Sequence, residues 1–214
     1  MDSTYLLGLE QSNSWLPGMQ HVLGAFSEPL TLTRYILFGE SPYPRAPSAT
    51  GRAFWDAAVG PIWSDTGFSK AINRATSLRN FMKMLLHARG DLVTDFSQPA
   101  IAELNHKQYY QTLDAFFTNM MRQGFLLLNA SLVYEARKIA YHAKHWVPFM
   151  EVLLDSFVDD RHQITLILFG RVAEKIPGYT RFMHISAEHP YNISFITNPD
   201  VIQWFKPMDL LLHE

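Results

Sequence analysis

Cysteine is absent from all 214 residues. A disulfide scaffold, a thiolate metal site and a cysteine nucleophile are excluded together. Long apolar runs are absent too. None reaches the roughly 18 residues that a membrane-spanning helix needs, so no membrane partner is expected. The N-terminus lacks a basic stretch followed by an apolar core, so no export signal is expected. Phosphate-loop and dinucleotide glycine patterns are missing, and no serine sits in a nucleophile-elbow pattern. His142 and His145 near Glu151 do not match a zinc spacing. Neither a metal nor a cofactor is expected. Charge of one sign is scarce as well: the net charge is −2 with a pI near 6.5. Taken whole, that argues against a strongly nucleic-acid-binding surface.

What is present is a core. Hydrophobic residues make up 48% and charged residues 18%, which excludes disorder. The length predicts one domain over residues 1–214, with residues 1–33 as a helical preface carrying Leu6, Trp15, Leu16, Val22 and Leu23. The charge is unevenly spread. Residues 1–33 hold three acidic residues and no Lys or Arg. Residues 34–90 hold eight basic residues against Glu40, Asp56 and Asp65, a local balance of +5. Chance clustering on a solvated face accounts for that block as readily as a binding face does.

Four continuously apolar runs read as strands: 35–38, 125–128, 164–169 and 182–185. Continuous rather than alternating apolarity marks strands covered on both faces. Helical spacing falls between them, over 77–87 with Ser77 as the cap, over 107–123 and over 146–158, with a short turn at 171–175. Strands alternating with helices predict an α/β fold, a three-layer α/β/α domain around a central four-stranded parallel sheet.

Ligands of such sheets sit outside the carboxyl ends of the strands. The segments there are 39–44, 129–132, 170 and 187–194. Gly39 to Pro44 is a loop stiffened by two prolines, with Glu40 as its one carboxylate. Glu40 reads either as an anion that activates water or as an ion-pair partner of Arg45 or Arg52. Phe54, in Gly51-Arg52-Ala53-Phe54, reads as a stacking platform or as core. Asn129 suits reading an amide-like edge, or capping a turn. A neutral His189 could donate to a developing oxyanion. Ile193 is an apolar residue on a loop tip, as base-stack wedges are.

Taken in order, these motifs resemble the uracil-DNA glycosylase superfamily, most closely its classical uracil-specific family. Gly39-Glu40-Ser41-Pro42-Tyr43-Pro44-Arg45 is similar to that family's Gly-Gln-Asp-Pro-Tyr-His-Gly loop. Gly51 to Phe54 matches its Gly-x-x-Phe, and Thr76-Ser77-Leu78 resembles its Pro-Ser-Leu. Leu126-Leu127-Leu128-Asn129 keeps its Leu-Leu-Leu-Asn strand end. Ile167 to Gly170 resembles Leu-Leu-Trp-Gly, and His189 to Ser194 resembles His-Pro-Ser-Pro-Leu-Ser. The resemblance runs from about Arg34 to the C-terminus.

The resemblance implies a base-flipping enzyme that excises uracil, or another deaminated base, from single- or double-stranded DNA. It implies that Phe54 stacks on the base, Asn129 reads its edge, and Tyr43 crowds the place of a thymine methyl. It implies that His189 stabilises charge on the base. The first loop keeps one carboxylate, shifted by one residue, so Glu40 and His189 are the expected catalytic pair, with Ser41 lining the base site. It places Ser77, Arg45, Tyr191, Ile193 and Ser194 at the DNA. A monomer, cytoplasmic or nucleoid-associated, is the matching expectation. The first loop diverges: Ser41 stands where the family has its water-activating Asp, Pro44 where it has His, and Glu40 where it has Gln. A neutral hydroxyl is a poor base at neutral pH. Gly-Glu-x-Pro followed by Gly-Arg-x-Phe also resembles the superfamily's iron–sulfur branch, but its four cluster cysteines are absent. Two other readings stay open: a catalytically impaired relative that binds DNA, a base or a protein, and an unrelated small-molecule enzyme on a layered fold.

Overall fold

A computed structural model describes residues 2–159 and 163–213. In chain order, the first elements are α1 (Ser3–Glu10), β1 (Tyr35–Gly39), β2 (Trp63–Ser64), β3 (Gly67–Phe68), α2 (Lys70–Arg74) and α3 (Thr76–Arg89). There follow α4 (Gln98–Ala102), α5 (Leu113–Arg122), β4 (Phe125–Asn129), α6 (Ile139–Ser156), β5 (Thr165–Phe169), β6 (Met183–Ala187) and α7 (Pro199–Phe205). The central sheet is four-stranded and parallel, in the order β4-β1-β5-β6, and helices flank it. The expected α/β architecture is therefore the observed one. By contacts the chain divides into two compact units, Met1–Asp56 with Met121–Ser186, and Ala57–Met120 with Ala187–Glu214.

The first unit holds the sheet. Tyr35 to Gly39 pair in register with Phe125 to Asn129 on one side, and Tyr35 to Phe38 with Thr165 to Leu168 on the other. Period-two geometry sends Ile36, Phe38, Leu126, Leu128, Leu166 and Leu168 to one face, into one cluster with Trp146, Met150, Leu153 and Leu154 of α6. The alternate set, Leu37, Leu127 and Ile167, is fully buried as well. That is why these strands read as unbroken apolar runs. β6 departs from the expectation. It lies at the sheet edge, and Met183, His184 and Ser186 are exposed. Only Phe182, just before it, is core.

α6 begins seven residues earlier than its apolar spacing suggests. His142, Trp146, Met150, Leu153 and Leu154 make one buried stripe along it. Pro148 lies inside the helix on its exposed side, where loss of its N–H does least harm. Burying each large apolar residue of such a stripe contributes about 1.5–3 kcal/mol. Tyr5 of α1 donates its hydroxyl to His142 Nδ1 at 2.8 Å, and His142 Nε2 donates to Glu135 at 3.1 Å. Burial pushes the Tyr5 hydroxyl up to about 12, so it stays protonated and able to donate. Among the described residues of the preface, helix is limited to α1 and two 3₁₀ turns, Gly24–Phe26 and Leu30–Leu32.

The second unit holds the short β2-β3 hairpin and the helices around α3. α3 begins at Thr76, so Ser77 is in its first turn and does not cap it. Leu78, Phe81, Met82, Leu85 and Leu86 are buried along it, and Phe81 meets Phe205 of α7 edge to face at 5.4 Å. α5 starts at Leu113 rather than near Lys107. The preceding backbone is committed to bridges from Tyr109 to Leu212 and from Thr112 to Pro61.

Candidate active site

In the first unit, the carboxyl ends of β1 and β4 are stitched beyond their last residues. Ala130 N–H donates to Gly39 O at 2.8 Å and Ser131 N–H to Glu40 O at 3.0 Å. Glu40 and Asn129 are thus held side by side at the strand ends by backbone hydrogen bonds. Gly39 is required there, since a Cβ would run into Asn129 Oδ1. Asn129 is 2% exposed, and its Nδ2 has no hydrogen-bond partner. An orphaned buried amide is costly and rare, and it points to a ligand edge. Ala53 N–H donates to Leu127 O at 3.0 Å, which pins the stretch carrying Phe54 onto β4.

Phe54 adopts φ of +63°, unusual for a bulky residue and a local strain of about 1–3 kcal/mol. Its ring stands edge to face with Phe169 at 6.3 Å, and its carbonyl accepts from the Tyr43 hydroxyl at 3.2 Å. Burial, reinforced by Asp56, pushes the Tyr43 hydroxyl well above the usual phenol range. Tyr43 is therefore a neutral, fixed wall. Ser41 follows Glu40, half-buried. The Glu40 carboxylate is paired with neither Arg45 nor Arg52 but with Lys175 Nζ at 3.1 Å, from the 3₁₀ turn after β5. Arg45 pairs with buried Asp56 at 3.1 Å.

In the second unit, the residues 188–194 form a tightly tied loop. His189 Nδ1 accepts the Tyr191 N–H at 3.1 Å, and Asn192 N–H donates to His189 O at 2.9 Å. With Nδ1 an acceptor, the proton of a neutral imidazole sits on Nε2, which becomes a donor. Tyr191 and Ile193 are 68% and 78% exposed, while the neighbouring Phe195 is fully buried and anchors the loop. Ser194 is exposed. Ser77 is half-buried in the first turn of α3. Among the described residues no group of three His, Asp or Glu is placed to hold a metal ion. Among the described residues no helix is long and apolar enough to cross a membrane.

No family model matches the chain. The uracil-DNA glycosylase of a Sinorhizobium species is 26% identical over 170 residues, 78% of this chain and 64% of that protein. Uracil-DNA glycosylase 1 of Streptomyces coelicolor is 27% identical over 183 residues, 85% of this chain and 68% of that protein. The chain thus spans about two thirds of the length of such curated relatives. The crystal structure of wild-type UNG from Nitratifractor salsuginis is 40% identical with a TM-score of 0.94, over all of this chain and 88% of that one. This chain belongs to the uracil-DNA glycosylase superfamily, close to its classical uracil-specific family. Mimivirus uracil-DNA glycosylase, 17% identical with a TM-score of 0.57, shares the fold.

Sequence reasoning about this glycosylase relative missed three residues. Lys175 was invisible because nothing local ties it to Glu40. Asp56 was counted only as charge, yet it is buried and holds Arg45. Asn80 of α3 is 2% exposed and donates to Pro190 O at 2.8 Å. No local signal marked it: Asn80 falls on the side of α3 away from the Leu78, Phe81, Met82 and Leu85 stripe, where a polar residue is the ordinary expectation.

Proposed function

We propose that this chain is a DNA glycosylase. It takes uracil, or another deaminated base, flipped out of single- or double-stranded DNA and hydrolyses the N-glycosidic bond as a monomer. The observation that carries the reading is the buried, partnerless Asn129 amide at the end of β4. A base edge with an acceptor beside a donor satisfies it, and the relatives are named for uracil. Phe54 supplies the face on which the base stacks, and Tyr43 closes the space beside it to a methyl group.

In the reaction, water attacks C1′ while the C1′–N bond breaks and its electron pair goes to the base. His189 stabilises that charge by donating from Nε2 to a base carbonyl oxygen. Glu40 is the anion that offsets the developing sugar cation and takes the proton from water, in a loop where Ser41 replaces the family's Asp. A catalytic Glu40 exchanges its Lys175 partner for that cation. Ser77, Arg45, Tyr191, Ile193 and Ser194 contact the DNA. Ile193, an exposed apolar side chain at a loop tip, suits a wedge in the base stack.

The Glu40–Lys175 pair also favours a second reading, a catalytically impaired relative that binds DNA, a base or a protein through the same residues. The two are separated by measuring free base released from uracil-containing single- and double-stranded oligonucleotides, with Glu40→Gln alongside. The glycosylase reading expects release, reduced at least tenfold in the variant. An unaffected variant removes Glu40 from the mechanism, and no release from any deaminated base leaves the binding reading.

A further inference from the structure

α3 presents an apolar face, with Leu78, Phe81, Met82 and Leu85 buried, yet Asn80 is as buried as they are. An amide placed there without partners would cost about 1–3 kcal/mol. Its Nδ2 instead lies 2.8 Å from Pro190 O and 3.4 Å from both Tyr191 O and Asn192 O. Three successive carbonyls turned toward one donor force this stretch to curl. The curl directs the Tyr191 N–H at His189 Nδ1. The start of the same loop is tied separately. The Asn198 side chain, which caps α7, donates to Glu188 at 2.7 Å. The middle of the loop has Asn80 as its side-chain tie.

We propose that Asn80 is a positioning residue of this glycosylase: by gathering the carbonyls of Pro190, Tyr191 and Asn192, its buried amide fixes the tautomer and direction of the His189 imidazole. The inference rests on the role given to His189 above. Ser77 lies one helical turn before Asn80, so a phosphate held at Ser77 and the His189 loop are mounted on one rigid helix.

The test uses the full chain carrying ¹⁵N-labelled histidine. Single-turnover release of uracil from a single-stranded oligonucleotide is measured together with the ring-nitrogen signals of His189. Asn80→Asp keeps the shape and sets a carboxylate against three carbonyls. Asn80→Ala removes the tie without repulsion and keeps the experiment readable if the first variant does not fold. Both are expected to lower the single-turnover rate about 10- to 100-fold, the scale on which small misplacements of a catalytic group act. Oligonucleotide affinity should stay within about threefold. The fixed Nε2–H tautomer of His189 should give way to averaged ring signals. A native rate and a native tautomer in both variants, with His189→Gln inactive, would overturn the positioning role alone. A native rate in His189→Gln would overturn the role of His189 itself and the positioning role with it.

Discussion

Replacing Asn129 by alanine should make the protein more stable and nearly inactive. Asn129 is 2% exposed and its Nδ2 has no hydrogen-bond partner among the described residues. An unsatisfied buried donor costs about 1–3 kcal/mol. Deleting it returns most of that cost, less the contacts its carbons lose, for a net gain of about 1 kcal/mol. For a chain of this size that raises the thermal midpoint by about 2–4 °C. If Asn129 reads the base as proposed, the same deletion removes two hydrogen bonds to it, together about 3–4 kcal/mol, which at 1.4 kcal/mol per decade is a 10²- to 10³-fold fall in kcat/KM for uracil release. Differential scanning calorimetry and a single-turnover excision assay measure the two effects on one preparation. A destabilised variant that still releases uracil at the native rate would refute the reasoning, because the amide would then be serving the fold and not the ligand.

Two more outcomes follow from the same geometry. Gly39→Ala places a methyl against Asn129 Oδ1 and 3.0 Å from Ala53 Cβ, so it should cost about 1–3 kcal/mol and displace the Asn129 amide. Calorimetry and the excision assay should show both losses together, and a native rate would place Asn129 outside the reaction. Acid should weaken the protein in two stages. Burial holds His142 below its ordinary range even beside Glu135, so the unfolded chain takes up a proton that the folded imidazole refuses, and stability begins to fall below pH 6.5. Glu135 is held at about 2 by hydrogen bonds from Lys138, His142 and Ser14, so its contribution is present above pH 4.5 and is lost between pH 4.5 and 2. Urea midpoints across that range should decline in both windows, and Glu135→Gln should flatten the lower one.

How much of this was legible in the sequence depended on whether the cause was local. β1, β4 and β5 were readable because burial on both faces leaves an unbroken apolar run. β6 was found from its aromatic and β-branched residues, but its exposure is set by the edge position, which no local pattern records. The start of α6 was hidden by Pro148, whose cost is borne on the exposed side of the helix. The extension of α5 failed because distant bridges at Tyr109 and Thr112 outcompete helical spacing. At the site, strand ends and the motifs that follow them are enough to group Glu40, Ser41, Tyr43, Phe54 and Asn129. The partner of Glu40 was out of reach, because Lys175 comes from a turn 135 positions later in the chain. The positive φ of Phe54 was equally unreadable, since Tyr43 and the Ala53–Leu127 hydrogen bond impose it from outside.

The central claim is that the carboxyl ends of β1 and β4 bind and cleave off a base. The most direct measurement is the amount of free uracil released from a uracil-containing single-stranded oligonucleotide by excess protein, native chain against Asn129→Ala. Stoichiometric release by the native chain is expected, with a rate lower by two to three decades in the folded variant. Equal release by both, or binding of the oligonucleotide by the native chain with no uracil freed, would contradict it.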